Sequence, residues 1–229
     1  MLKVLVHQKI DIEKHDNVTF IRIEPTELKQ TIQDIIISIS DLSWIDQFNE
    51  LYIRDSFLER AKPTIADIEQ KLLHCIDDSI SSDAGEYIVS ELSRQAIIEC
   101  LMYTCIPIAE LFLKQKSGNP GFDFHASNDC NILIFGEAKY SSTDNAYGVG
   151  LTQVNDFIKN KKDIKDLVDL KDFFNNLILD NANKGKKGYA IAFSSKSISS
   201  HQLIKNIIRN KNYNKLLKYH EIILVAVNI

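Results

Sequence analysis

The chain of 229 residues carries 27 Lys plus Arg against 31 Asp plus Glu, a net charge of −4, with 45% hydrophobic and 25% charged residues. This is ordinary composition for a folded domain with a real core, and its length suits one large domain or a compact one with an N-terminal addition. No run approaches the roughly 18 to 20 apolar residues that span a bilayer, and the opening MLKVLVHQKIDIEKHDN has no signal-peptide pattern, so a cytoplasmic protein with no membrane partner is expected.

In chain order, LKVLVH and VTFIRIE predict two strands around a polar turn over residues 14–17. Pro25 and Thr26 then start a helix carrying Leu28, Ile32, Ile35 and Ile36; a second helix holds Trp44 and residues 48–57, and a third covers residues 65–80 after Pro63. Residues 1–80 thus form a strand pair with a helical extension, packed on a core of residues 81–229 as one continuous unit. That core opens with a helix over residues 86–102, bearing Ile88, Leu92, Ile97, Ile98 and Leu101. CIPIAELFLK predicts a strand despite Pro107, and SGNPG a turn. GFDFHA and NILIFGEAKY predict a hairpin around residues 127–130. Helices over residues 147–160 and 164–179, the strand KGYAIAFSS, a helix over residues 200–219 and the strand EIILVAVNI complete the chain. The order describes an α/β protein with a mixed sheet flanked by helices.

Cys75, Cys100, Cys105 and Cys130 form no CxxC pair and no Cys/His cluster, so reduced, mostly buried thiols are expected and a zinc site is not. The charge is unevenly spread. Residues 181–220 hold nine basic side chains (Lys184, Lys186, Lys187, Lys196, Lys205, Arg209, Lys211, Lys215, Lys218) and no acid, which leaves 18 cations against 31 acids, a net −13, elsewhere. One basic lobe on an acidic chain is a candidate nucleic-acid surface, although a solvated helix face explains it equally well.

The chemistry-bearing residues lie between Asp123 and Lys139. Strand alternation puts Leu133, Phe135, Glu137 and Lys139 on one face, so an acid and a base emerge together where an apolar strand ends. Pairing with GFDFHA brings Asp123 beside Glu137. Two carboxylates and a backbone carbonyl, here that of Ala138, suit a hard divalent cation such as Mg²⁺ over a scissile phosphate. Lys139 then either activates the attacking water or stabilises charge on the phosphate. A lone Glu-x-Lys on a strand also fits a solvated edge; Asp123 in the hairpin and Gly136 directly before Glu137 favour a site.

Asp123, a gap of 13 residues and then Glu137-Ala138-Lys139 on a hydrophobic strand resemble the PD-(D/E)XK nuclease superfamily. Within it, GEYIVSEL, K-x-x-GNPGFDFH and LIFGEAKY look like the HamA nuclease subunits of the Hachiman anti-phage defence system, over about residues 85–155. The resemblance implies a restriction-endonuclease-like core and cleavage of DNA or RNA with Mg²⁺ or Mn²⁺. It implies metal binding by Asp123 and Glu137 and catalysis assisted by Lys139. Glu86 matches the helical glutamate that holds a water at the metal, with Glu91 as the alternative, and Gln153 matches a glutamine beside the site. Phe122 stands where the eponymous proline would. Lys184, Lys186, Lys187, Lys205 and Arg209 would follow the nucleic-acid backbone.

His125 shares the strand phase of Asp123 and either approaches the substrate or caps the hairpin, the latter favoured; Tyr140 is expected in the core. Ser194, Ser195 and His201 make no serine hydrolase, for there is no G-x-S-x-G elbow. No phosphate-binding G-x-x-x-x-G-K-[ST] loop occurs, so ATP hydrolysis would belong to a helicase or other ATPase partner. The expectation is a nuclease; the alternatives are a latent or non-cleaving nucleic-acid-binding subunit under such a partner, and a site-specific restriction endonuclease.

Overall fold

The computed structural model describes residues 7–13, 15–77, 79–113, 121–196 and 198–229. Residues 2–6 of the strand expected over residues 2–7, the turn residue Lys14, and residues 117–120 of the turn expected over residues 117–121 lie outside these. Strands β1 (His7–Asp11) and β2 (Val18–Ile23) precede helices α1 (Leu28–Ser40), α2 (Leu51–Asp77) and α3 (Ser82–Leu101). A two-residue strand β3 (Thr104–Cys105) and the hairpin of β4 (Phe124–Ser127) and β5 (Leu133–Lys139) follow. Helices α4 (Tyr147–Lys159), α5 (Lys162–Asp166) and α6 (Asn176–Asn183) lead to β6 (Lys187–Ser195), and α7 (Ser200–Ile208) and α8 (Lys211–Leu216) to β7 (Glu221–Asn228).

All seven strands join one sheet in the order β1-β2-β7-β6-β5-β4-β3. Strands β2, β7, β6 and β5 run parallel, while β1 and β4 pair antiparallel with β2 and β5. The N-terminal strand pair joins the main sheet, with β2 alongside β7. Helices cover both faces, which is why β5, β6 and β7 read as nearly unbroken apolar runs. On one face Ile134, Ala138, Ala192 and Val225 meet Ile35, Leu72, Ile88 and Leu92 of α1 to α3. On the other, Leu133, Phe135, Ile191 and Leu224 meet Leu151, Val154, Leu203 and Tyr213 of α4, α7 and α8.

Several elements differ from expectation. Pro63 does not separate two helices; it sits inside the 27-residue α2. Proline removes the N–H that would bond the carbonyl of residue 59, but Glu59 and Pro63 are both exposed and water can serve that carbonyl. The described part of CIPIAELFLK, residues 105–113, forms only the end of β3 and then a 3-10 turn at Ala109–Leu111, its Ala109 N–H bonding the Asp123 carbonyl at 2.8 Å. The helix expected over residues 164–179 is α5, a turn and α6, where Asn175 caps the new start by accepting from the Ile178 N–H. Asn210 likewise begins α8 and divides the helix expected over residues 200–219. Cys75 is buried, Cys130 is exposed, and the four cysteines form no disulfide. No helix among the described residues is long and apolar enough to cross a membrane.

Candidate active site at the end of strand β5

The hairpin register sets the site. Phe124 pairs with Gly136, so the next step outward sets Asp123 beside the end of β5. Two bonds hold that step: the Asp123 N–H donates to the Gly136 carbonyl at 2.8 Å, and the Ala138 N–H donates to Asp123 Oδ2 at 2.7 Å. The N–H and C=O of one strand residue lie on the same edge, so the Ala138 carbonyl also faces the Asp123 side. Gly136 is required by this packing, because a Cβ there would stand 2.2 Å from the ring of Phe124.

Lys139 ties the sheet to α3. Its Nζ lies 3.0 Å from Glu86 Oε1 and 3.1 Å from Glu137 Oε1, and the side chains of Lys139, Glu86 and Glu137 are 12%, 36% and 1% exposed. The α3 terminus reaches β5 because Gly85 lets it rest on Tyr140, whose ring would lie 2.2 Å from an added Cβ. Tyr140 is half-buried, with the Lys196 ammonium 5.8 Å from its ring centre.

The choice between Glu86 and Glu91 is decided geometrically. Glu91 sits over a turn deeper and is 2% exposed. Its carboxylate is fully engaged by Arg94 at 2.7 Å through two nitrogens, by Gln95 at 2.8 Å and by Ser38 at 2.5 Å. Burial pushes its acidity toward higher pKa, but Arg94 and these hydrogen bonds reverse that and hold it below the usual carboxylate range. Glu91 is a structural ion pair, and Glu86 is the helical acid at the strand end.

One acid was missed by motif reading. Glu110, in the 3-10 turn tied to Asp123, has Oε2 shut off from solvent with no hydrogen-bond partner, as does Glu137 Oε2. Glu86, Asp123 and Glu137 thus act on one lysine, and Glu110 adds a fourth carboxylate coupled to Asp123. Burial, then the charge of Asp123, raises Glu110 and Glu137 above the ordinary range; burial raises Asp123 too, only partly opposed by Lys139 and the Ala138 N–H. Burial draws Lys139 down, yet Glu137, Asp123 and Glu86 together lift it above its ordinary value. Lys139 is held as an ammonium.

The other candidates separate. His125 is fully buried, edge-on to Phe135 with ring centres 5.5 Å apart and Nε2 3.8 Å from Asp166 Oδ2, so it is a core residue set inward from the strand end. Gln153 is half-buried one turn past Gly150, the α4 residue that packs on the Lys139 stem, but among the described residues no hydrogen bond joins it to the carboxylates. Lys187 is not on the basic surface: it is 6% exposed and pairs with Asp163 at 2.5 Å, where Tyr189 also donates. Lys184 and Lys186 precede β6 at the far end of the sheet, and Lys186 Nζ bonds the Cys130 carbonyl. That places them about 20 Å from Lys139, the length of β5 at about 3.3 Å per residue. Lys205 and Arg209 are exposed along α7, and Lys196 is the member of the basic lobe that lies at the site end.

The donor set fits a hard divalent cation: carboxylate oxygens, two of them buried and unpartnered, and a backbone carbonyl. Among the described residues, however, no three His, Cys, Asp or Glu side chains converge closely enough to hold an ion as they stand. The clefts beside Arg94, beneath α7 and beside His74 are lined by other residues. Comparison with known proteins adds no relative: no family model, no curated protein and no solved structure matches the chain.

Proposed function

We propose that the chain is a divalent-cation-dependent nuclease that hydrolyses phosphodiester bonds, with DNA the first substrate to test and RNA the second. The observation that carries this reading is Glu137, a carboxylate 1% exposed with one oxygen unpartnered, held between Asp123 and Lys139 at the end of an apolar strand. Burying such a group without full compensation costs several kcal/mol, a cost tolerated where chemistry needs the charge.

Asp123, Glu137 and the Ala138 carbonyl would hold Mg²⁺ or Mn²⁺, which when bound supplies electrophilic stabilisation of the phosphate. The chain's own residues do the rest. The Ala138 N–H orients Asp123, and Glu86 holds the Lys139 ammonium at 3.0 Å. Because Lys139 is kept protonated, it fits charge stabilisation on the reacting phosphate better than proton abstraction. Glu86, the more exposed neighbour of Lys139, places the attacking water. Lys196 near the site and Lys205 and Arg209 farther off meet the backbone; cations about 20 Å away would reach phosphates about six base pairs along, at roughly 3.4 Å per pair. The resemblance to PD-(D/E)XK enzymes extends this reading to a defence effector working with a helicase or other ATPase.

A second reading, a subunit latent until its partner acts, is favoured by one observation: Lys139 is bonded to both Glu86 and Glu137, and among the described residues no donor trio is assembled. Plasmid and RNA digestion with Mg²⁺, Mn²⁺ or EDTA tests both. Glu137→Ala with Lys139→Ala is expected to abolish cation-dependent cleavage while preserving the fold by circular dichroism. Undiminished cutting by that double variant sinks the site assignment, and binding without cutting under either cation selects the latent subunit.

A further inference from the structure

Glu110 has no place in the motif that suggested the site, and its local sequence does not call for it. Its neighbours Ile108, Ala109, Leu111 and Phe112 are all buried, so an apolar residue would suit the turn better. The structure has instead a carboxylate whose Oε2 is closed to solvent and lacks a partner among the described residues. Lys139, the ammonium acting on it, is already bonded to Glu86 and Glu137. Nor is Glu110 loosely placed, since the Ala109 N–H fixes its turn to the Asp123 carbonyl at 2.8 Å. Burial and then Asp123 push Glu110 up to about 8. Glu137, 1% exposed, presents a second unpartnered buried oxygen in the same cluster. Two such oxygens around Asp123 are a standing cost in the protein alone and a favourable field for a cation.

Resting on the nuclease reading, we propose that Glu110 is a cation-retaining residue: its carboxylate strengthens the hold of Asp123 and Glu137 on a divalent ion, acting through Asp123 and the ion's hydration water and not on the nucleic acid. Outer groups of this kind change metal affinity about 10- to 100-fold.

The test is Mg²⁺ and Mn²⁺ titration of the full chain by calorimetry and by melting temperature, for the wild type, Glu110→Gln and Glu110→Leu. Glu110→Gln is expected to weaken cation affinity about 10- to 100-fold and to raise the Mg²⁺ needed for half-maximal cleavage by the same factor. It should keep the kcat at saturating Mg²⁺ and the nucleic-acid affinity in EDTA. Without metal, both variants should melt at or above the wild type, because an acid with one oxygen closed to solvent and unpartnered has gone. An unchanged Mg²⁺ midpoint in Glu110→Gln overturns the proposal and leaves the nuclease reading intact, as does a lower metal-free melting temperature in both variants, which would make Glu110 structural. A wild type that neither binds nor uses either cation defeats the nuclease reading itself.

Discussion

Replacing Gly136 by alanine sets a Cβ 2.2 Å from Phe124 Cε2 and 2.3 Å from Cζ. Ordinary carbon contacts begin near 3.5 Å, so about 1.3 Å of clearance is missing. The ring cannot swing into solvent, because Phe124 is completely buried. The strain must therefore separate β4 from β5, next to the bond from Ala138 to Asp123 and directly before Glu137. Overpacking of this kind costs about 1 to 3 kcal/mol, against a gain of about 0.5 to 1 kcal/mol for removing a strand glycine. A net loss near 1 kcal/mol corresponds to about 2 to 4 °C in melting temperature for a chain of this size. Cleavage should fall more steeply, about 100-fold, since a misplacement near 1 Å between reacting groups has that effect. Thermal melts and plasmid digestion measure both quantities, with Gly148→Ala as the control because, among the described residues, nothing outside its own helix turn lies within 4 Å of its Cβ position. Adding Phe124→Leu to Gly136→Ala should recover part of the stability. A Gly136→Ala protein that melts and cuts like the wild type would refute the argument that this contact sets the spacing of the two acids.

Two further outcomes separate structural from functional acids. Glu91→Ala should cost about 3 to 5 kcal/mol, because it strands the buried Arg94 charge, whereas Glu86→Ala, removing a carboxylate 36% exposed, should cost under about 1 kcal/mol yet depress cleavage; chemical denaturation beside a digestion assay would reverse this assignment if the losses were exchanged. In EDTA, Asp123 is pushed up to about 7 and Glu110 to about 8, from ordinary values of 3.8 and 4.5. A carboxylate with a raised folded-state pKa contributes stability that is complete below its unfolded value and lost as pH rises through the folded one. The metal-free melting temperature should thus decline between about pH 4 and pH 8, and Asp123→Asn should flatten the decline; a metal-free profile that rises over this window contradicts the raised acidities.

Much of the sheet was legible because its strands are buried on both faces or alternate cleanly. VTFIRI, KGYAIAFSS and EIILVAVN form β2, β6 and β7, and the alternation in NILIFGEAKY correctly placed Glu137 and Lys139 on one strand phase. What failed was mostly punctuation. Pro63 was read as a break because the local rule concerns a lost hydrogen bond, whereas the exposed position of Glu59 lets solvent replace it. Asn175 and Asn210 act as helix caps through side-chain bonds that apolar periodicity does not register.

The site was legible to the extent that its residues share one local element. Asp123, Glu137 and Lys139 belong to one hairpin, so register alone brings them together. Glu86 needed the packing of α3 on β5, and helical phase left it indistinguishable from Glu91 until Arg94 was seen to engage the latter. Lys187 shows the converse limit: composition counts it among nine surface cations, but its strand position turns it into the interior toward Asp163. Glu110 was the hardest to find, because in CIPIAELFLK one acid among apolar residues reads as the outward position of a strand. Its meaning depends on the 3-10 turn that carries it inward to Asp123, and nothing in the segment's own periodicity encodes that turn. An acid with a shut-off oxygen in an apolar segment is locally a misfit, and such misfits are expected where a site demands charge at the expense of stability. Had the segment formed the predicted strand, Glu110 could have faced solvent at no cost. Its inward placement leaves the cluster with four carboxylates to one ammonium, an imbalance that a divalent cation would relieve.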